Sequence, residues 1–422
     1  MTINLPERVE FILENLNCNG YAAYVVGGCV RDSVLGIKPH DWDICTSARP
    51  EETIRCFKEL HFDVLETGVK YGTVTVIMKD ERYPAEYFEI TTFRIDGEYV
   101  DNRRPEDVTF TDDLVADLAR RDFTINAMAY HPKYGLVDPF GGEEDIRKKL
   151  IRCVGEPEQR FGEDALRMIR AVRFALRYDY AIEERTLHAI KNMKQNISNV
   201  AVERVSSEIT RILNETFFPD KSNDNSAIGL LSSFLCMFSF YRPPRVATAL
   251  SFCNGDLETS LAVLCDEENI EEKLMLYRFP KHVAECVAEI RKVGTEILND
   301  VEMQYATGRE FRYLVRKMIS KIKSQYPVYT AKCAVHYAMV YCAPELFPFL
   351  YRLEKQIDMI LGDRVPYKVC QLDINGNDVM ELGYNGKAVG EALNYLLDAV
   401  MDEYIKNEKE ELISFLKANS DI

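Results

Sequence analysis

The chain has 422 residues, enough for two or more domains and a substantial buried core. Its 68 acidic and 52 basic residues give a formal net charge of −16 at pH 7, which argues against a surface that binds nucleic acid tightly and nonspecifically. Twelve cysteines without a Cys-x-x-Cys pair indicate neither a zinc site nor a disulfide framework, and a polar start without any apolar run of membrane-spanning length predicts a cytoplasmic protein that contacts no membrane.

The predicted elements begin with an amphipathic helix from Leu5 to Asn17, followed by a short buried strand at Tyr24 to Val26. The strand breaks at Gly27 and Gly28, where the missing Cβ atoms let backbone N–H groups approach an anion. Arg31 then adds a guanidinium whose donors suit phosphate oxygens. We therefore expect Gly28 and Arg31 to bind a nucleotide.

Two carboxylates one residue apart, Asp41 and Asp43, follow this turn. On a strand they would share one face and repel each other unless a cation lay between them, and Mg²⁺ prefers such oxygens. An isolated Asp-x-Asp is more often a solvated turn or a helix cap. Here Trp42 and Ile44 favour a strand with its other face in the core. We therefore predict that Asp41 and Asp43 are catalytic and bind Mg²⁺.

A helix predicted from Arg49 to Leu60 precedes two strands of the same sheet, Gly72 to Met78 and Ala85 to Arg94. Glu89, on the second strand, is a candidate third catalytic carboxylate, which completes a two-metal site or helps to deprotonate an attacking hydroxyl. The alternative is a glutamate that faces water or pairs with Arg94, and Glu86 is a second candidate.

The polar, Gly- and Pro-containing stretch from Ile95 to Asp107 is predicted to be an exposed flexible loop. Beyond it, Asp122 is placed to cap a helix while Arg121 reaches a triphosphate or sugar. Asn126 shares the helical face of Asp122 and is a candidate contact for a ribose hydroxyl. After about Asp145 helical periodicity dominates, so an α/β head followed by an all-helical remainder is expected.

The stretch from Glu163 to Phe174 has the apolar spacing of an amphipathic helix. One flank carries Asp164, Arg167, Arg170 and Arg173. An intrahelical salt bridge worth a few tenths of a kcal/mol is the ordinary interpretation of the first two. Three arginines along one flank are unfavourable unless phosphates or acids meet them, so this flank is a candidate binding surface.

Five segments, taken in order, resemble class II tRNA nucleotidyltransferases, the CCA-adding enzymes and their bacterial poly(A) polymerase relatives. They are GGCVRD, HDWDICTSA, FEITTFRIDGEY, DLARRDFTINAMAY and RFGEDALRMIRAVRF. A sixth, LDINGNDVMELGYNGKAVGEAL, is similar to the C-terminal region of the Bacillus-type CCA-adding enzymes. Residues from about Asn214 to Cys370 carry no motif that we can place.

The resemblance implies an α+β fold, in which a polymerase-β-like nucleotidyltransferase head of α/β type precedes an all-helical neck, body and tail. The implied boundaries are residues 1–145 for the head, 146–214 for the neck that recognises the base, 215–330 for the body and 331–422 for the tail that binds tRNA.

The resemblance also implies the reaction, template-independent addition of CCA to the 3′ end of tRNA from CTP and ATP, with pyrophosphate released by two-metal transfer. It implies that Arg121 contacts the nucleotide and that Asp164 and Arg167 read the Watson–Crick edge of the base. A carboxylate facing uracil or guanine meets a carbonyl instead of an amine, which costs about 1–3 kcal/mol. Arg170 and Arg173 would hold phosphates or orient Asp164.

Alternatives remain open within and outside the family. A poly(A) polymerase usually carries a Gly-Arg-Arg-Phe run after the metal pair, and Glu51 to Leu65 has none. A loop from Asp96 to Arg104, implied to reshape the pocket from C to A, favours full CCA addition over an A-adding or CC-adding specialist. An inactive RNA-binding adaptor or a nucleotide hydrolase would belong to another class. The predicted partners are tRNA, ATP and CTP, with no protein partner.

Overall fold

The computed structural model describes residues 2–80, 83–97, 99–100, 104–105, 108–215, 226–237, 246–253, 255–265, 268–363 and 366–419. The chain divides into two compact units, residues 1–216 with 223–238 and residues 217–222 with 239–422. In the described residues the first unit combines strands and helices, whereas the second contains helices and 3-10 turns. The predicted α+β class is confirmed; the division into head, neck, body and tail stays a prediction.

The strands belong to the first unit. In chain order they are β1 (Ala23–Val26), β2 (Ile44–Thr46), β3 (Asp63–Gly68), β4 (Thr73–Asp80), β5 (Tyr83–Thr92), β6 (Arg94–Asp96), β7 (Tyr99–Val100), β8 (Arg104–Pro105), β9 (Val108–Phe110), β10 (Ala129–His131), β11 (Gly135–Val137), β12 (Leu150–Ile151) and β13 (Ala181–Ile182).

The helices of the first unit surround this sheet and continue beyond it. They are α1 (Glu7–Cys18), α2 (Gly28–Val34), α3 (Pro50–Lys58), α4 (Leu114–Ala119), α5 (Gly142–Arg147), α6 (Pro157–Glu163), α7 (Leu166–Tyr178), α8 (Glu184–Met193), α9 (Val202–Glu215) and α10 (Ser226–Met237). Pro6 lies immediately before α1, and Pro50 is the first residue of α3. Proline suits a helix start, because the N–H that it lacks would have no intrahelical partner there.

The second unit is built from a further series of helices. They are α11 (Val246–Ser251), α12 (Leu257–Leu264), α13 (Ile270–Leu276), α14 (Lys281–Asn299), α15 (Val301–Tyr305), α16 (Gly308–Lys321), α17 (Pro327–Tyr341), α18 (Phe347–Asp363), α19 (Gly376–Glu381), α20 (Lys387–Met401) and α21 (Lys409–Ala418). One apolar core joins α14, α16, α17 and α18, and another joins α19, α20 and α21. No helix in the described part of the chain combines the length and apolarity needed to cross a lipid bilayer.

Within the described residues, seven strands form one mixed sheet in the order β11-β10-β1-β2-β5-β4-β3. Strand β1 is antiparallel to β10 and β2, whereas β2 and β5 run parallel with Ile44 opposite Ile90. Because both isoleucines are buried, this register is fixed by the core. The register therefore brings Asp43 and Glu89, which precede the two isoleucines, to neighbouring positions. The predicted strands around Glu89 are confirmed as β4 and β5.

The predicted loop from Ile95 to Asp107 is wrong for its described part. Strand β6 pairs with β9 and β7 pairs with β8, both antiparallel, so the segment contains short β-pairs. The β-branched and aromatic residues between its polar positions favour an extended backbone. The Gly and Pro residues led to the prediction of a loop instead. Asp101 and Arg103 of the implied CCA loop lie outside the described residues.

Candidate active site

Asp41 and Asp43 lie just before β2 rather than on it, so their predicted strand placement is wrong. The reason is that β1, the pairing partner of β2, ends at Val26 and the chain turns at Gly27. The N–H of Val26 still donates to the carbonyl of Asp43 at 3.0 Å, which holds Asp43 beside the turn. Trp42, predicted to face the core, is only half-buried because it precedes the paired region.

The electrostatics of Asp43 indicate a concentration of negative charge. Loss of surrounding water raises the pKa of its carboxyl group; Arg121 lowers that pKa, while the charges of Glu89 and Asp41 raise it. A cation relieves such repulsion. No three His, Cys, Asp or Glu side chains within the described ranges are spaced to bind a metal by themselves. The arrangement fits Mg²⁺, which is usually held by one or two carboxylates together with substrate phosphates and water.

The side chain of Glu86 points away from that of Glu89. It lies an odd number of residues from Glu89 on β5, so the two side chains point to opposite faces, and its carboxylate pairs with Arg8 at 3.2 Å. Arg94, considered as a partner of Glu89, instead donates from Nε to Asp96 at 3.0 Å. Glu89 itself is exposed, and it remains the candidate third carboxylate because its charge raises the pKa of Asp43.

A cavity of about 440 Å³ opens beside the turn at Gly27. All seven predicted nucleotide ligands line it, together with one carboxylate of the proposed metal site, Asp43. The seven are Gly28, Arg31, Arg121, Asp164, Arg167, Arg170 and Arg173. Asp41 and Glu89 lie outside its lining. Eight arginines against three aspartates make the wall strongly positive, as a polyphosphate site requires.

Gly27, more than Gly28, is the glycine that this turn requires. Its φ of +80° is unfavourable for other residues, and a Cβ atom there would lie 2.9 Å from Nη1 of Arg121. Gly28 has an ordinary φ, and a Cβ atom added there would lie 3.6 Å from Nη2 of Arg31. Gly27 thus lets the Arg121 guanidinium approach the backbone of the turn.

We expect Gly27→Ala to raise the KM for the nucleotide substrate about tenfold, because the new methyl group displaces Arg121 from the turn. Steady-state kinetics measure this change. Gly386→Ala is the matched control: its φ of +58° and ψ of −124° resemble the +80° and −125° of Gly27, but nothing lies within 4 Å of the added Cβ. An equal KM in both variants would refute the role of the Arg121 contact.

Arg31 is held from several sides. Its Nη1 donates to Oδ1 of Asn126 at 2.6 Å, and its Nε and Nη2 donate to Oδ1 of Asp32 at 2.9 and 2.8 Å. The Tyr178 hydroxyl donates to the same Asp32 oxygen at 3.1 Å. Asn126, predicted to contact a ribose, is therefore used here to position Arg31.

Asp122 links the turn region to α7. Its Oδ2 accepts from Nε and Nη2 of Arg170 at 2.9 and 2.7 Å, and its Oδ1 accepts from the Phe123 N–H and the Asn126 side chain. The predicted helix cap is wrong, because a single 3-10 turn, Thr124–Asn126, follows. Burial raises the pKa of Asp122, but Arg170, Asn126 and Arg167 outweigh it and lower the pKa to about 2.

A pH dependence of stability follows from this pKa. Because the folded-state value of about 2 lies below the ordinary 3.8, the unfolded state binds more protons between these values. The carboxylate should therefore contribute on the order of 2 kcal/mol above about pH 4 and lose it as pH falls through 2. Urea unfolding between pH 2.5 and 6 should show a smaller pH slope in Asp122→Asn than in wild type. Asp112→Asn, at an exposed position, should keep the wild-type slope; equal slopes in all three proteins would contradict the assignment.

The predicted continuous helix from Glu163 to Phe174 is wrong, because α6 ends at Glu163 and α7 begins at Leu166. Between them Asp164 is extended, with φ −146° and ψ 102°, and its Oδ1 accepts from the N–H of Leu166 at 3.1 Å. A short carboxylate that binds a nearby N–H favours a helix start over a helix interior. Two nitrogens of Arg204 donate to this carboxylate at 3.2 and 2.7 Å.

Acidic partners meet the arginines of α7. Arg167 donates to Glu163 at 2.7 Å and to the carbonyls of Arg160 and Arg120, both at 3.1 Å. Arg173 donates from Nε to the buried Glu208 at 2.7 Å. The flank predicted to require phosphates or acids is thus lined with acids.

Helix α9 contributes charged residues to the site that were not predicted from the sequence. Arg204, Glu208 and Arg211 follow one another at spacings of four and three residues, so they share one face of this helix, which packs against α7. Arg211 lines the cavity, Arg204 pairs with Asp164, and Glu208 pairs with Arg173. This helical spacing of charged residues was the available signal.

Two protein-family models match the first half of the chain. Residues 23–152 match the poly A polymerase head domain, and residues 179–218 match the family described as the probable RNA and SrmB-binding site of polymerase A. The CCA-adding enzyme of Geobacillus stearothermophilus is 33% identical over 411 residues, covering 96% of this chain and 95% of its own length. That of Oceanobacillus iheyensis is 48% identical over 201 residues, about half of each protein.

Solved structures show the same fold. The Bacillus stearothermophilus CCA-adding enzyme in complex with CTP superposes with a TM-score of 0.70 and 30% identity, covering 98% of this chain and 97% of that one. The Thermotoga maritima CCA-adding enzyme complexed with tRNA superposes with a TM-score of 0.69 at 21% identity, which supports the fold alone.

The fold and the arginine-lined cavity beside the carboxylates define a nucleotidyltransferase with a poly(A) polymerase-type head. Nucleotidyl transfer of this kind depends on a divalent metal ion. With full-length identity above 30% to the Geobacillus enzyme, the chain belongs to the family of CCA-adding enzymes, the tRNA nucleotidyltransferases.

Proposed function

We propose that this protein adds CCA to the 3′ end of tRNA in the cytoplasm, using CTP and ATP and releasing pyrophosphate. The observation that carries the proposal is the cavity in which Asp43 and the seven predicted nucleotide ligands meet. Membership of the family supports the substrate class, and the Bacillus stearothermophilus relative solved with CTP supports a nucleotide in this cavity.

The proposed metal site comprises Asp41 and Asp43, with Glu89 as third carboxylate. Mg²⁺ bound there would lower the pKa of the attacking 3′-hydroxyl and stabilise charge on the leaving pyrophosphate. The protein itself supplies orientation: Gly27 and Gly28 leave room at the turn, and Arg31 and Arg121 place fixed positive charge on the triphosphate.

Base selection is assigned to Asp164 and Arg167. Both are held in place from outside the cavity, Asp164 by Arg204 and Arg167 by Glu163, so their donors and acceptors are fixed before a base enters. The carboxylate accepts from the exocyclic amine of cytosine or adenine, and the guanidinium donates to the adjacent ring acceptor. Uracil and guanine present a carbonyl to the carboxylate, which leaves an unpaired acceptor and costs about 1–3 kcal/mol.

The proposal is tested with three tRNA transcripts that end before CCA, after C and after CC. Each is incubated with Mg²⁺ and single nucleotides or CTP plus ATP, and product length is read at single-nucleotide resolution. Addition that stops after CCA is the expected result. Only A or only CC would indicate a specialist, long A tails a poly(A) polymerase, and no product at all an adaptor or hydrolase. Chelation with EDTA should abolish addition, and Mg²⁺ should restore it; undiminished activity in EDTA would refute the metal assignment.

A further inference from the structure

One aromatic ring in the cavity wall lies beside three of its cations. The guanidinium carbons of Arg173, Arg31 and Arg170 lie 4.3, 5.2 and 5.4 Å from the ring centroid of Phe174. The ring is buried, at 3% exposure, and lines the cavity. The sequence pattern marks Phe174 only as an apolar position of a helix and does not predict this cluster of cations.

The three arginines come from two helices of the first unit. Arg31 belongs to α2 at the phosphate turn, whereas Arg170 and Arg173 belong to α7. Like charges at such spacing repel each other. The face of an aromatic ring carries negative quadrupole charge and attracts cations within about 6 Å of its centroid, more strongly where water is excluded. Phe174 therefore offsets part of the repulsion and favours a defined spacing of the three guanidiniums.

Among the described contacts, no carboxylate partner of these arginines binds all three cations. Asp32 binds Arg31, Asp122 binds Arg170, and Glu208 binds Arg173 and also lies 3.6 Å from Arg170. Phe174 is in contact with all three cations and connects the turn with α7. A second ring, Tyr178, lies 5.2 Å from the Arg31 guanidinium and stacks on Phe174 at 6.2 Å between centroids.

We propose that the π face of Phe174 is a positioning group for the triphosphate of the incoming nucleotide. It holds Arg31, Arg170 and Arg173 at the spacing that the phosphates bridge, and so acts through the arginines without touching the reacting atoms. The inference rests on the proposed function, because it takes the cavity to be the nucleotide site.

The test replaces Phe174 with phenylalanines carrying one, two and three ring fluorines. Fluorine withdraws electron density from the ring face while nearly preserving its size, so the ring's attraction for cations weakens in steps. The dissociation constant for CTP, measured by calorimetry with Mg²⁺ and without tRNA, should rise with each fluorine, to roughly fivefold for the trifluoro ring. The same series at Phe161, a buried ring on α6, should show no graded change, and Phe174→Tyr should bind like wild type.

Opposite results overturn the inference in separable ways. If the dissociation constant is the same across the Phe174 series while CCA addition is normal, the ring has only a packing role. A graded loss at Phe161 as well would assign the effect to fluorine rather than to cations. Wild-type affinity in Phe174→Leu would likewise refute the positioning role. Failure of the unsubstituted protein to bind CTP or extend tRNA would instead refute the proposed function.

Discussion

Asp43→Asn is expected to lower the rate of CCA addition by roughly three orders of magnitude, because the proposed Mg²⁺ site loses one of its carboxylates while the structure is kept. The carboxylate is costly to the folded state: desolvation raises its pKa, and Glu89 and Asp41 raise it too. Removing the charge should therefore leave the free energy of unfolding unchanged or slightly increased at pH 7. Single-turnover tRNA extension and urea unfolding measure the two effects.

The matched control is Asp112→Asn, which removes an exposed carboxylate from the same unit. It should retain wild-type activity and wild-type stability. If Asp43→Asn kept wild-type activity, the metal assignment would have to be abandoned. If it lost activity together with a large part of its stability, the carboxylate would be structural and not a metal ligand.

Asp164→Asn is expected to weaken the preference for CTP over UTP. An amide in place of the carboxylate can turn its NH₂ group toward the carbonyl of uracil, so the acceptor–acceptor conflict that we propose excludes UTP disappears. The ratio of kcat/KM for CTP to that for UTP should fall about 10- to 100-fold, which corresponds to the penalty of about 1–3 kcal/mol. Competition between labelled nucleotides on a CCA-lacking tRNA gives this ratio directly.

The control for this variant is Glu156→Gln, because Glu156 forms an exposed ion pair with Arg185 in the same unit. Its CTP preference should equal that of wild type. A ratio that is unchanged in Asp164→Asn would mean that another group excludes UTP, and the assignment of base selection to Asp164 would fail.

The local parts of the site were predictable from sequence. The strand at β1, the turn at Gly27 and Gly28, and the carboxylates after it follow one another within about twenty residues, and strand pattern and turn chemistry determine them. Helix ends were harder. The break at Asp164 depends on one side chain binding the N–H of Leu166 in preference to continuing a helix whose apolar spacing is uninterrupted.

The contacts that hold the site together could not be predicted in this way. Arg31 meets Asn126 across 95 residues, Arg204 meets Asp164 across 40, and Arg173 meets Glu208 across 35. Such pairs depend on how the head sheet, α7 and α9 pack, and the spacing of charges along one helix does not specify its partner. The sequence therefore predicted seven of the residues that line the cavity, but neither the contribution of α9 nor the acids that neutralise the arginines.

Some of the acidic residues behind the net charge of −16 lie beside the arginines of the cavity. Asp32, Asp122, Glu163 and Glu208 already neutralise cavity arginines in the described structure, so they act as built-in counterions. A triphosphate entering the cavity competes with these fixed charges as well as with dissolved salt. Unlike dissolved ions, these carboxylates cannot leave the site. We therefore expect only an anion of high charge density that carries a metal ion to compete well with them for the arginines. We expect an isolated RNA phosphate, which carries a single charge, to compete less well for these arginines than a triphosphate does.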